Sequence, residues 1–242
     1  MPVSLKNQVV VVVGASSGIG RATAVLMAQD GAKVMASARR LDRLEQWKKE
    51  MTDAGHTVDI FQADATDPAQ MEALAKATTQ KFGTPQIMVY ATGTNTPHRD
   101  TTRLKPAYWD ELIHTNLDGA FYATHAVLPA MREAKSGHII YISSISGHTP
   151  DASGAAYQAS KRGMIGLSFA VRLEERANGI RTTVINPGMV NTELMEKRPV
   201  KPTPEQLAMA LAADDVAEMV LASAKLPKNA VVTDLSVVPS AM

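Results

Sequence analysis

Residues 9–13 are five consecutive valines, and a glycine-rich turn, Gly14-Ala15-Ser16-Ser17-Gly18-Ile19-Gly20, follows at once. No other stretch limits the fold so much. A β-branched run without polar alternation reads as a strand covered on both faces, as in a parallel sheet. Residues 21–29 then read as a helix. Glycines in such a turn permit tight bending and let backbone N–H groups approach a phosphate at the helix N-terminus. The spacing is G-x-x-x-G-x-G rather than the commoner G-x-G-x-x-G. The strand before it and the helix after it make the turn a candidate dinucleotide site.

The same alternation runs along the chain. Apolar strands are expected at Lys33–Ala38, 57–62, 86–90, 138–143, 181–186 and 231–238. Helices are expected at 41–54, Pro68–Phe82, 106–133, 155–176 and 214–224. Strands alternating with helices give an α/β fold with a doubly wound parallel sheet and helices on both faces. The chain has 242 residues, 45% of them hydrophobic, and no shift in composition, so one domain spanning 1–242 is expected. Within it, 189–212 is proline-bearing and of mixed polarity, and reads as a substrate flap. Residues 94–100 form a polar loop above the sheet. Its His98 reads either as a pocket acid or as a surface side chain.

A formal net charge of +1 leaves no nucleic-acid footprint. With no cysteine, a disulfide framework, a thiol nucleophile and a Cys-ligated zinc site are excluded. That composition fits a reducing, cytoplasmic setting. Residues 1–7 are short and polar and do not read as a signal peptide; the valine run is too short to span a bilayer.

After the second strand the chain reads Ala38-Arg39-Arg40. A NAD-binding chain carries an acid here to hold the ribose hydroxyls. Two guanidiniums instead suit a phosphate, which points to NADP(H), with Arg39 as the nearer contact. The alternative is that both arginines simply begin the next helix. Asp64, after the third strand, could accept from an adenine amino group or cap a turn. Thr192 comes within reach of a cofactor amide if Gly188 turns the chain that way.

The catalytic candidates lie downstream. The strand at 138–142 ends in Ser143-Ser144, and Tyr157 follows Ser144 by thirteen positions. Lys161 is four residues beyond Tyr157, on the same face of a helix. A free tyrosine titrates near ~10; moving it to about 7 needs roughly 4 kcal/mol, at about 1.36 kcal/mol per unit. A close ammonium and a second positive charge, such as an oxidised nicotinamide ring, suffice to lower it. A serine opposite would hold the reacting oxygen. The alternative is a chance Tyr–Lys pair on a helix and a serine-ended strand. Asn116, among apolar neighbours, is either a structural polar plug or a group that opens its helix to hold a water near Lys161.

Together these pieces resemble the short-chain dehydrogenase/reductase family, from Val9 to Val238. The motifs that carry the likeness are Gly14-x-x-x-Gly18-Ile19-Gly20, Asn116, Ser144 with Tyr157-x-x-x-Lys161, and Asn186-Pro187-Gly188 with Thr192. The resemblance implies a Rossmann-type sheet of about seven strands, no metal, and hydride transfer between NADP(H) and a small ketone or secondary alcohol. It implies Tyr157 as acid/base, Lys161 on the nicotinamide ribose, Ser144 on the substrate oxygen and Asn116 on a proton-relay water. Cofactor contacts are implied for Gly14, Ser16, Ser17, Gly18, Ile19, Arg39, Arg40, Asp64, Ala65, Ala91, Gly93, Tyr157, Lys161, Pro187, Gly188, Val190 and Thr192. Assembly as a tetramer or dimer is implied through the helices that carry Asn116 and Tyr157. Departures are Val13 for the usual threonine and Tyr90-Ala91-Thr92-Gly93 for the usual Asn-Asn-Ala-Gly. The tail also lacks the usual glycine-rich ending and looks closer to the NADP-preferring branch acting on small hydroxy acids or ketones. Two other functions share these features: a carrier-linked 3-ketoacyl reductase, with Arg132 and Arg172 as a basic docking face, and a dinucleotide-binding regulator without turnover.

Overall fold

A computed structural model describes residues 4–241. The first three residues of the polar leader and Met242 lie outside it. Seven parallel strands are ordered β3-β2-β1-β4-β5-β6-β7: β1 Val9–Val13, β2 Lys33–Ala38, β3 Val58–Gln62, β4 Ile87–Tyr90, β5 Gly137–Ile142, β6 Ile180–Pro187 and β7 Asp234–Val237. The helices are α1 Gly18–Gln29, α2 Leu41–Asp53, α3 Pro68–Phe82, α4 Pro106–Ile113, α5 Gly119–Glu133, α6 Ala155–Glu175, α7 Pro204–Met209 and α8 Ala213–Ala224. This is the Rossmann-type α/β architecture.

The valine run explains the layering. All five residues of β1 are buried. Val10 and Val12 enter one core with Met27 of α1, Trp47 of α2 and Val216 of α8. Val11 and Val13 enter the other with Leu74 of α3, Val127 of α5 and Met164 of α6. Successive strand residues point to opposite faces, so each core needs its own apolar set, and polar alternation would fail on both. The strand order reverses between β1 and β4, which opens a crevice at the carboxyl ends of the strands. None of the helices among the described residues is long and apolar enough to cross a membrane.

Most expected elements shift by a residue at one end or both, and three differ more. The helix expected over 106–133 is interrupted by a π-helical turn at His114–Asp118, which inserts one extra residue around Asn116. The first helix starts at Gly18, inside the glycine turn. The last strand is shorter than 231–238, because the ladder with β6 runs only from Val184↔Asp234 to Pro187↔Val237. As an edge strand, β7 has one partner to hold it.

Candidate active site

A cleft of about 860 Å³ lies over the carboxyl ends of the strands, lined by the glycine turn, Arg39, Arg40, Asp64, Ser144, Tyr157, Lys161 and the 189–198 segment. At its floor the backbone leaves no room for side chains. A Cβ on Gly14 would stand 2.7 Å from the Thr92 nitrogen, and one on Gly20 would stand 2.3 Å from the Gly14 oxygen. Gly14 also has φ +94, a left-handed conformation that favours glycine. Thr192 closes over this turn: its Cγ2 lies 3.2 Å from where a Gly18 Cβ would be. A bare backbone turn at a helix N-terminus, roofed by a threonine and flanked by arginine, fits a dinucleotide pyrophosphate.

The two arginines divide differently from the expectation. Arg40, not Arg39, carries the contacts to the turn. Its Nε donates to Ser16 Oγ at 3.1 Å, and its Nη2 donates to Ser16 Oγ at 2.9 Å and Ser17 Oγ at 2.6 Å. Arg39 has a side chain 70% exposed, with Asp64 at 3.7 Å as its ion-pair partner. Arg40 also pairs with Glu193 at 2.8 Å, and Arg43 pairs with the other oxygen of the same carboxylate. These partners, Arg43 first, hold Glu193 down at about 2. Neither Arg43 nor Glu193 stood out in the sequence. Asp64 holds a turn, its Oδ1 accepting from Thr66 N at 3.0 Å and Thr66 Oγ1 at 2.9 Å, and the residue also lines the cleft. Ala65, Ala91, Gly93, Pro187, Gly188 and Val190 line the same cleft.

The catalytic candidates converge beside it. Ser143 turns away, donating its hydroxyl to Lys161 O at 3.0 Å. Ser144 faces the phenol of Tyr157 and draws its pKa down. It also donates to Ser146 Oγ at 3.1 Å. Lys161 is 4% exposed, and its Nζ donates to Ile142 O at 2.9 Å and lies 5.7 Å from the centre of the Tyr157 ring. Lys161 Nζ has no other protein hydrogen bond among the described residues.

The expected lowering of the tyrosine pKa is absent here. Burial dominates and pushes Tyr157 up to about 12. The same burial pulls Lys161 down to about 7, so the ammonium that was to lower the phenol is itself disfavoured.

Asn116 is fully buried and serves as a brace. Its Oδ1 accepts from Thr94 N at 2.7 Å; its Nδ2 donates to Thr94 O at 3.1 Å and Ser160 Oγ at 2.9 Å. The helix is opened at Asn116, and its side chain ties that opening to the 94–100 loop and to α6. Tyr90 has a comparable duty. It is fully buried, and its hydroxyl donates to Thr115 O at 2.6 Å, within the π turn. Asn186 donates to Asp234 Oδ1 at 2.6 Å, and His148 meets the same carboxylate at 2.9 Å, which fastens β7 to β6. His98 is exposed and stacks on Tyr108 at 5.6 Å, away from the cleft lining.

The 189–212 segment is folded. Val190 bridges to Leu211 at its base, Glu193–Lys197 forms a 3-10 turn, and Thr203 and Gln206 cap α7 reciprocally. Lys197 Nζ donates to Thr94 Oγ1 at 2.6 Å, which links the flap to the facing loop.

Comparison with known proteins agrees with this geometry. Residues 8–202 match the family model of the short chain dehydrogenases. An uncharacterized oxidoreductase of Staphylococcus saprophyticus is 38% identical over 80% of this chain and 78% of its own. A metagenomic short-chain oxidoreductase solved with NADP superposes with a TM-score of 0.85, at 32% identity, over 98% of this chain and 99% of that one. The closed form of a serine dehydrogenase with NADP+ gives a TM-score of 0.88 at 31% identity, covering 95% of this chain and 94% of the other. The fold, the glycine turn and the Ser–Tyr–Lys cleft thus have one explanation: the chain belongs to the short-chain dehydrogenase family of oxidoreductases.

Proposed function

We propose that this protein is an NADP(H)-dependent oxidoreductase that interconverts a small ketone and a secondary alcohol, with Tyr157 as acid/base. The observation that carries this reading is the convergence of Ser144, Tyr157 and Lys161 in the cleft whose other end holds Arg40 against the glycine turn. The related structures solved with NADP support the choice of cofactor. Bound there, NADP(H) supplies or accepts the hydride, and its oxidised ring adds the positive charge that a buried phenol needs to ionise. Tyr157 Oη gives its proton to the carbonyl oxygen in reduction and takes it from the alcohol in oxidation. Ser144 Oγ donates to that oxygen and aligns it with the phenol. Lys161 Nζ, fixed by Ile142 O, directs its remaining donors to the ribose and favours the phenolate. Asn116 keeps the 94–100 loop in register with α6.

Assembly through α5 and α6 belongs to the same reading, supported by exposed Phe121, Phe169 and Leu173 on those helices. So does a cytoplasmic setting, in keeping with a chain without cysteine. The carrier-linked alternative has less support, because Arg132 Nε donates to Glu175 at 2.9 Å and its charge is already answered. A panel of ketones and secondary alcohols, followed by NADPH absorbance in both directions, tests the proposal. Turnover with NADPH in preference to NADH is expected; no turnover across the panel would favour a regulator that only binds dinucleotide.

A further inference from the structure

Three cations gather at the Tyr157 end of the cleft: Arg99 from the 94–100 loop, and Lys197 and Arg198 from the facing segment. Arg99 is locked in place. Its Nε donates to Thr96 O at 3.0 Å and its Nη2 to Lys197 O at 2.8 Å. These two carbonyls hold the guanidinium plane without neutralising it. Among the described residues, no carboxylate comes within ion-pair distance of Arg99, Lys197 or Arg198. The acids nearby have other partners. Asp151 accepts from Ser146 Oγ at 2.6 Å and Ser153 N at 2.8 Å, Glu193 pairs with Arg40 and Arg43, and Glu196 pairs with Lys201.

Like charges held together without an ion-pair partner repel one another, and Asp151, which acts on Arg99 from a distance, offsets this only in part. Burial and the adjacent Arg198 hold Arg99 below the usual arginine range. Arg99 and Arg198 also both act on the Tyr157 phenol, so they lie within electrostatic reach of the reacting oxygen. A planar guanidinium with free N–H groups matches a carboxylate in shape and charge. Met189, Leu194 and Met195 line the same cavity and supply an apolar, adaptable wall for a short carbon stem.

We propose that the substrate carries a carboxylate, which Arg99 and Arg198 bind, with Lys197 beside them, while its ketone or alcohol carbon sits at Tyr157. The substrate class is then a short keto acid and the matching hydroxy acid. This rests on the oxidoreductase reading above and adds a second anchoring point to it. The carboxylate fixes the distance from the anchored end to the reacting carbon, so chain length becomes a selection rule.

The test compares pyruvate, acetoacetate and levulinate with their methyl esters under NADPH. In at least one pair, kcat/KM for the acid is expected to exceed that for the ester tenfold or more. Arg198→Gln, at a residue whose side chain makes no protein hydrogen bond or ion pair among the described residues, should bring that ratio close to one, mainly through a higher KM for the acid; Arg99→Met should do the same. Binding is read separately from turnover, by ligand-observed NMR with butyrate and butyramide on the NADP+-loaded protein. Butyrate should bind, butyramide should not, and either substitution should abolish the difference while NADP+ affinity stays within about twofold. Equal handling of acids and esters, or butyrate binding that survives both substitutions, overturns the proposal. So does a loss of NADP+ affinity as large as that for butyrate, which would assign these cations to the cofactor. If Tyr157→Phe leaves turnover intact, the acid/base assignment fails, while the butyrate result still decides the carboxylate site.

Discussion

Both ends of the cleft are lined with arginine, but the two sets differ in what answers their charge. At the phosphate end, Arg40 and Arg43 converge on the single carboxylate of Glu193. At the tyrosine end, Arg99 and Arg198 form no ion pair among the described residues, and Arg99 is positioned by two backbone carbonyls. One short stretch serves both. The 3-10 turn Glu193–Lys197 sends its first residue to one end, and Lys197 with Arg198 to the other. An internal anion already covers one cationic site, whereas the other is open. On the readings proposed above, a dinucleotide phosphate would compete with a tethered side chain, and a substrate anion would meet no such rival.

This contrast can be broken in order of expected effect. Tyr157 should matter to neither set of arginines as a binding group. Tyr157→Phe is expected to lower kcat by a factor of about 10³ or more and to leave NADPH affinity within about threefold, by stopped-flow and fluorescence titration. Near-parent turnover would remove the phenol from the mechanism.

Lys161 comes next, through stability and its pH dependence. Its folded pKa of about 7 lies below the 10.5 of a free lysine side chain, so the folded state binds fewer protons between those limits. The penalty for burying the charged form is complete below about pH 7 and fades as pH rises toward 10.5. Lys161→Met should therefore stabilise the cofactor-free protein more at pH 6 than at pH 9.5, by several kcal/mol, as read from urea unfolding. The lost bond to Ile142 O is common to both pH values and does not affect that difference. An equal effect at both pH values would show that Lys161 stays charged.

A smaller effect is expected from Arg40→Ala, which should raise the KM for NADPH by about 10- to 100-fold with little change for NADH. Arg39→Ala should do less, since its side chain is mostly exposed. The smallest effect sharpens the comparison. With its charge removed, Glu193→Gln should tighten NADPH binding a few-fold and leave NADH alone, by isothermal titration. Unchanged or weaker NADPH binding would make the Arg40–Glu193 pair a purely structural tie.

What the sequence made legible follows from distance along the chain. The valine run, the glycine turn and the Tyr157–Lys161 spacing are local patterns, and local backbone geometry is enough to interpret them. Ser144 could be preferred to Ser143 on spacing, and Ser143 indeed turns toward the α6 backbone. Glu193 lies 153 residues from Arg40, and no periodicity connects them. Arg99 gains meaning only once Lys197 is seen to face it, 98 residues later. The tyrosine pKa is only half legible for a related reason. Proximity to Lys161 can be read along a helix, but the burial that outweighs it depends on everything packed above.

The asparagines usual at the turn after β4 are replaced here, and Tyr90 reaches from within the sheet to a carbonyl of the π turn instead. Glycine at 119 belongs to the same solution, since a Cβ there would stand 2.3 Å from that hydroxyl. The two positions form a matched pair that has to change together. Swapping in the customary asparagine alone would leave a hollow beneath the turn, and enlarging Gly119 alone would drive the phenol out. The support for that turn is carried here by a phenol enclosed in the core.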